Sequence, residues 1–454
     1  MKRYFSKMTL ALIVALVMSL AIAIPAMADP LPAEGDPLEV GITKELNMPP
    51  GTTIPESVFQ FTMTQVVPVA DSAPATFNTT IPAGSSVTFT HAAGSNDPAN
   101  PGDLEIWFPS GTGNLGTTGD ILDGITWPHA GDFYFVIREV PNTNTAPSVT
   151  ALAPNEHMVY SDQVFVLQVR VANVDGNLIP RLGFAYVGSP GTPGEPGTPD
   201  TWHQVGPKLN ELRPGTPGTP GEPGTDPILD DPSQIRFIND FTRDSLDDDD
   251  WALGIQKMIT GEFANMELDF SFDASLTIPT LALTRTVPFT GPITATVVNA
   301  TTGDPVIPAR TVTFTGTTTG TGPGETPALV LSATFDLGHN ERLHIPGLPA
   351  GTVFGVLETQ IPEYAATAVV TRGGVAVETV TGAVGANVGT TPTYIDDSGM
   401  NRAAFTNDHN APPFTGLVIG SMPFLTLLLG ATLILAMMMA ARSRQRIEQL
   451  PVAH

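Results

Sequence analysis

The rhythm of apolar and polar residues limits the fold of this chain more than any other feature. Between its two apolar ends the sequence is rich in Thr, Val, Gly and Pro, in short alternating runs that end in turn signals. Alternation with a period of two places apolar side chains on one face of a strand. Long stretches with the helical period of 3.6 are missing. The sequence therefore predicts an all-β protein built from β-sandwich domains.

The first 28 residues have the composition of a removable signal peptide. A basic start is followed by the apolar run 8–24 and by the small residues Ala26 and Ala28. This order is typical of secretory signals that are cleaved after a small-x-small site. We expect export of the chain and a mature start at Asp29.

The other end combines a short motif, an apolar run and a basic stop. The motif Pro412–Gly416 is followed at once by the uncharged run Leu417–Ala441 and then by three arginines before residue 447. A run of this length can cross a bilayer as a helix, and the arginines mark its cytoplasmic side. The region 411–446 is thus predicted to be a membrane-directed terminal signal. A plain single-span anchor with a chance motif before it is the alternative.

Composition excludes several classes of function. The net charge of −25 disfavours binding to nucleic acid, and the absence of cysteine rules out disulfides. The chain lacks the G-x-S-x-G, H-E-x-x-H and phosphate-loop motifs, and its eight histidines have no metal-ligand spacing. We therefore expect neither an enzyme with turnover nor a cofactor or metal. Lysine is rare, and the mature part has only Lys44, Lys208 and Lys257.

An internal duplication divides the mature chain. Four short blocks recur in the same order on either side of a predicted acidic linker at 244–252: Gly41–Lys44 with Gly254–Lys257, Phe59–Phe61 with Phe270–Phe272, Phe135–Glu139 with Phe354–Glu358, and Phe237–Asp240 with Phe405–Asp408. Two domains follow, at 29–243 and 253–410. The first is longer because of a Pro/Gly-rich insertion at 188–231, which we interpret as an extended surface loop rather than a collagen-like array. The linker lacks the ligand spacing of a calcium-binding loop.

Strand parity places three polar residues in each predicted core. Lys44 lies on the same face as the apolar row before it, and Glu139 and Asn239 share faces with neighbouring phenylalanines. The second domain repeats this pattern with Lys257, Glu358 and Asn407. Burial disfavours charge, so a lysine and a glutamate that meet there can settle as amine and carboxylic acid.

A neutral lysine beside a polarised carboxamide can react with it. The acid would donate a hydrogen bond to the Asn oxygen and carry protons to the departing ammonia, while the amine attacks the carbon. The product is a Lys–Asn isopeptide bond, formed once and without turnover. The alternative is an ordinary buried ion pair in each domain.

The order G-I-x-K, F-x-F, F-x-Φ-x-E (Φ apolar) and F-x-N-D, ahead of a terminal signal, resembles the isopeptide-bonded domains of Gram-positive backbone pilins and wall-anchored adhesins. The resemblance covers 38–410. Its first domain is most similar to the streptococcal major-pilin type, and the turn Ile345–Gly351 is similar to prealbumin-like modules. The resemblance implies two Ig-like or prealbumin-like sandwiches. It also implies two bonds, Lys44 to Asn239 assisted by Glu139 and Lys257 to Asn407 assisted by Glu358.

The terminal motif resembles a cell-wall sorting signal, with Pro412 where the LPxTG pattern has leucine. That resemblance implies a sortase that cuts between Thr415 and Gly416 and joins Thr415 to peptidoglycan or to another pilin subunit. The segment around Lys208 resembles the pilin motif whose lysine accepts that threonine, although a solvated loop lysine is equally compatible. The expected protein is a secreted, wall-anchored pilus subunit. The alternative is a monomeric adhesin with a host ligand.

Overall fold

The computed structural model describes residues 37–68, 77–91, 104–111, 113–141, 152–187, 203–204, 235–246, 250–320, 326–409, 431–435 and 437–438. Almost all regular structure in these residues is β, which confirms the predicted all-β class. The exceptions are the short helix α1 (Thr280–Thr284) and helical residues within 431–438. The signal peptide, Lys208, Thr415, Gly416 and most of 417–441 lie outside the described residues. Within the described part, no helix is long and apolar enough to cross a membrane.

Thirteen strands form the first domain as described. They are β1 (Ile42–Asn47), β2 (Ser57–Pro68), β3 (Phe77–Asn78), β4 (Thr88–Phe89), β5 (Glu105–Phe108), β6 (Leu115–Thr117), β7 (Ile125–Thr126), β8 (Gly131–Glu139), β9 (Glu156–Val159), β10 (Val164–Val174), β11 (Asn177–Val187), β12 (His203–Gln204) and β13 (Ile235–Arg243). One sheet has the order β6-β1-β13-β9, and the other has the order β12-β11-β10-β8-β2-β3 with β5 also paired to β2. Strands β4 and β7 form a separate ribbon.

A further thirteen strands form the second domain. They are β14 (Leu253–Thr260), β15 (Phe270–Ile278), β16 (Ile293–Asn299), β17 (Thr311–Phe314), β18 (Thr318–Thr319), β19 (Ala328–Leu337), β20 (Glu341–Ile345), β21 (Val353–Thr359), β22 (Ala365–Arg372), β23 (Val375–Thr381), β24 (Val388–Gly389), β25 (Thr393–Tyr394) and β26 (Asn401–Asp408). Their sheets have the orders β17-β16-β20-β14-β26-β22-β23 and β18-β19-β15-β21-β24, with β25 also on β21.

The two hydrophobic cores are formed by strands in which apolar and polar residues alternate. On β15, Phe270, Phe272, Ala274 and Leu276 are buried, while Ser271, Asp273 and Ser275 between them are partly or fully exposed. This alternation is expected of a strand with one face on the core and one toward solvent. Each domain has its own cluster of buried apolar side chains, and each cluster draws on both sheets of its domain. The triads described below lie within these cores.

The duplication extends to strand register. In each domain a parallel pair joins the first strand to the last, β1 with β13 and β14 with β26, and each pair places the lysine opposite a phenylalanine two residues before the asparagine. On the facing sheet, the second phenylalanine of the F-x-F block lies opposite the glutamate. The corresponding pairs are Lys44 with Phe237, Lys257 with Phe405, Phe61 with Glu139, and Phe272 with Glu358. Both domains therefore direct the same three side chains toward one point.

The segment 244–252 connects β13 to β14, and three of its described residues, Asp244, Ser245 and Trp251, contact the second domain. Asp244 accepts hydrogen bonds from both terminal nitrogens of Arg285, which follows α1, at 2.9 and 2.7 Å. The backbone N–H of Ser245 donates to the carbonyl of Leu348, and Trp251 is buried. A second contact between the domains joins the Thr53 hydroxyl to Asp397. Asp244, the first residue of the linker, is therefore paired with a residue of the second domain.

Candidate functional site

The first triad lies between the two sheets of the first domain. Lys44 is the third residue of β1, Glu139 is the last residue of β8, and Asn239 lies in the middle of β13. Lys44 and Asn239 are 0% exposed and Glu139 is 7% exposed, although all three are polar. Charged groups are rarely buried to this degree unless they are paired. The structure therefore brings together the three residues that strand parity placed in this core.

Glu139 bridges the amine and the carboxamide. Lys44 Nζ donates to Glu139 Oε2 at 2.8 Å, and Asn239 Nδ2 donates to Glu139 Oε1 at 2.7 Å. The backbone N–H of Ser161 donates to Asn239 Oδ1 at 2.6 Å. The sequence-based expectation was that the acid faces the Asn oxygen. The structure instead turns the nitrogen to the acid, because Ser161 supplies a donor that only the oxygen can accept.

The second triad repeats this arrangement with different detail. Lys257 Nζ contacts Glu358 Oε1, and Asn407 Nδ2 donates to the same oxygen at 3.1 Å. All three side chains are 0% exposed. Lys257 Nζ lies 3.8 Å from the centroid of the Phe270 ring, whereas Lys44 Nζ lies 4.9 Å from that of Phe59. Each amine thus lies near one aromatic ring and is hydrogen-bonded to one carboxyl group.

Gln360 is a fourth member of the second cluster that the sequence reasoning missed. Its Nε2 donates to Glu358 Oε2 at 2.7 Å, and its Oε1 accepts from Asn407 Nδ2 at 3.3 Å. The available signal was its position two residues after Glu358, which puts it on the same face of the chain. In the first domain the equivalent position is occupied by exposed Pro141. Ser161 was also missed, and no side-chain pattern could have indicated it because it acts through its backbone.

Burial moves both partners of each ion pair toward neutrality. Desolvation lowers the pKa of Lys44 to about 8, although the Glu139 carboxylate opposes this shift. Desolvation also raises the pKa of Glu139, against the opposing effect of Lys44. The second cluster behaves alike, with the pKa of Lys257 lowered to about 8 and that of Glu358 raised, again mainly by burial. Burial therefore shifts the lysine and the glutamate of each site toward their uncharged forms, compared with the same side chains in water.

The chemistry available to these clusters follows from their contents. Each holds a potential nucleophile, a carboxamide carbon and a proton carrier in one hydrogen-bonded group. Among the described residues, no group of three or more histidine, aspartate or glutamate side chains could hold a metal ion. The predicted residues Lys208, Thr415 and Gly416 lie outside the described residues, so their surroundings stay predictions.

The fold and these sites define an all-β protein with two sandwich domains and one buried Lys–Glu–Asn cluster in each. Comparison with family models found one match, "Domain of unknown function (DUF7601)", over residues 252–409. That match covers all of the second domain except residue 410, and none of the first. The comparison with curated proteins found no match.

Among solved structures, the chain is similar to the major pilin from Streptococcus pyogenes, with 16% identity, 83% of this chain and 100% of that chain covered, and a TM-score of 0.28. A second major pilin of that species, T3.2, has 12% identity over 83% of this chain and 99% of its own, with a TM-score of 0.26. A pilus-presented adhesin has 17% identity over 52% of this chain and 39% of its own, with a TM-score of 0.21. At such TM-scores the structures do not superpose as wholes, and the functional argument rests on the two clusters.

Proposed function

We propose that each cluster forms an intramolecular Lys–Asn isopeptide bond, Lys44 to Asn239 in the first domain and Lys257 to Asn407 in the second. The observation that supports this most strongly occurs in both domains: a buried amine and a buried carboxamide are hydrogen-bonded to the same glutamate. A structural ion pair needs no asparagine, whereas the reaction needs all three groups. Burying such an ion pair alone adds little stability.

The reaction balances without any external reagent. Neutral Lys44 Nζ attacks Cγ of Asn239, so that a C–N bond forms and the carboxamide oxygen gains negative charge. Glu139 transfers its proton to Nδ2, the C–Nδ2 bond breaks, and ammonia leaves. The proton lost by Nζ returns the acid to its starting form. Lys257, Asn407 and Glu358 have the same roles in the second domain.

The bonds suit a structural role at the cell surface. A covalent link between the first and last strands of a domain resists unfolding when the chain is pulled, and this chain has no cysteine for disulfides. The signal peptide and the motif before the apolar run support export and sortase anchoring through Thr415. Lys208 supplies a candidate amine for joining subunits. We infer a sortase-anchored pilus subunit on the surface of a Gram-positive cell, with sortase, peptidoglycan and other pilin subunits as its partners.

Peptide mapping tests the proposed bonds directly. The purified mature chain is digested under denaturing conditions, and branched peptides are sought by tandem mass spectrometry. We expect one branched species that joins the strands of Lys44 and Asn239, and another that joins those of Lys257 and Asn407. The Asn239→Ala variant is the matched control, because it should lose only the first species. Recovery of linear peptides with unmodified Lys44 and Lys257 would contradict the proposal.

A further inference from the structure

We propose that the two domains orient their reacting carboxamides by different devices, and that Gln360 is the residue that does so in the second domain. This inference rests on the proposed isopeptide reaction. It adds a residue to that reaction and assigns the first domain's equivalent task to the backbone of Ser161. The experiment below separates a failure of this inference from a failure of the reaction itself.

A buried asparagine can present either its nitrogen or its oxygen to a neighbour, because the two ends of the carboxamide have the same shape. The orientation with the nitrogen toward the acid suits the leaving step, since the group that departs then lies beside the acid that protonates it. In both domains the nitrogen does face the glutamate. Some other contact has to hold this orientation, because a carboxyl group can accept from nitrogen or, when protonated, donate to oxygen.

In the first domain that contact is on the oxygen. The Ser161 N–H donates to Asn239 Oδ1 at 2.6 Å, and a backbone N–H cannot pair with the nitrogen end. The same donor lies where negative charge develops during attack on the carbon. Fixed backbone donors of this kind stabilise such charge effectively. Ser161 thus both orients Asn239 and assists its reaction.

In the second domain the oxygen of the asparagine has no such donor. Asn407 Oδ1 is buried and has no hydrogen-bond partner within the described residues. The orientation is held from the nitrogen, which donates to Glu358 Oε1 and to Gln360 Oε1. Gln360 is itself fixed, because its Nε2 donates to Glu358 Oε2 at 2.7 Å and its side chain is only 9% exposed. The closed ring of Glu358, Gln360 and Asn407 replaces the Ser161 contact.

The test follows ammonia loss over time in newly made protein. Full-length chain is produced by cell-free synthesis, quenched in acid at intervals and mapped for both branched peptides. Gln360→Met removes both hydrogen bonds while keeping the shape of the side chain. Losing one orienting hydrogen bond should slow formation of the second bond by roughly tenfold, with the first bond unaffected. Gln65→Met is the matched control, because Gln65 is a similarly buried glutamine that bonds only backbone groups of the first domain.

Gln360→Glu separates a chemical role from a structural one. It keeps an acceptor for Asn407 and, when protonated, a donor for Glu358, so it should react faster than Gln360→Met. Equal rates for wild type and a folded Gln360→Met would overturn the inference, as would equal slowing by Met and Glu. Slowing of both bonds by Gln360→Met would also overturn it, because that result indicates a general folding effect. If wild type never forms the second bond, the proposed reaction in that domain fails instead.

Discussion

A double-mutant cycle on Lys44 and Asn239 distinguishes a covalent link from a buried ion pair by the size of the coupling energy that it measures. The link would close a loop of about 200 residues, and the chain-entropy relation used for disulfides assigns it about 5 kcal/mol of unfolding free energy. A noncovalent contact between two buried polar groups contributes roughly 0.5–3 kcal/mol. The two explanations therefore differ by a measurable margin.

Each single variant removes the link completely. Asn239→Ala also removes the bond from the Ser161 N–H to Oδ1, although this N–H still has Glu139 as an acceptor, so its cost should exceed that of the link by roughly 0.5–1.5 kcal/mol. Lys44→Met removes the link and leaves Glu139 and Asn239 hydrogen-bonded to each other, so its cost should be close to about 5 kcal/mol. The double variant loses the link only once. The coupling energy of the cycle should therefore be about 5 kcal/mol.

The assay is denaturant unfolding of the mature ectodomain, residues 29–415, followed through the first domain. Asn47→Ala serves as the matched control, since Asn47 lies on the same strand and bonds Asp240 at an exposed position. We expect that control to change the unfolding free energy by less than about 0.5 kcal/mol. A coupling energy below about 3 kcal/mol would refute the covalent interpretation and leave an ion pair.

Three further predictions concern the acids and the predicted terminal and loop sites. Glu139→Ala and Glu358→Ala should each retain one ammonia in the intact mass, because the proton carrier is lost; bond formation at the normal rate would remove that role. Deletion of residues 412–416 should shift the protein from the wall fraction after wall digestion, whereas membrane recovery of both forms would favour a plain anchor. Lys208→Arg should abolish any high-mass ladder on immunoblots of wall extracts, because arginine stays protonated and cannot attack a thioester. An unchanged ladder would exclude Lys208, and no ladder in wild type would indicate a monomeric adhesin.

Strand parity was sufficient to predict which polar residues enter the cores. Lys44 continues the buried row of Leu38, Val40 and Ile42, so a period of two places it inside without any knowledge of tertiary structure. The same reasoning applies to the second domain, and the duplication showed that the pattern was not accidental. The same argument could have predicted Gln360, because it lies two residues after Glu358 and so on the same face of the chain.

Other features depend on contacts that no local pattern specifies. The Ser161 donor is a backbone group, and every residue type except proline carries one. The orientation of Asn239 depends on that donor, which explains why the sequence led to the opposite end of the carboxamide. Likewise, the contact between Asp244 and Arg285 joins the linker to a position 41 residues later. Residue types alone predicted an acidic linker but could not locate this partner.

The intact mass of the purified ectodomain tests the central claim most directly. Each isopeptide bond releases one ammonia, and the two buried clusters predict two bonds in every folded molecule. High-resolution mass spectrometry should therefore give a mass two ammonia molecules below that of the sequence from Asp29 to Thr415. A deficit of one would confine the reaction to one domain. The unmodified sequence mass would contradict the account.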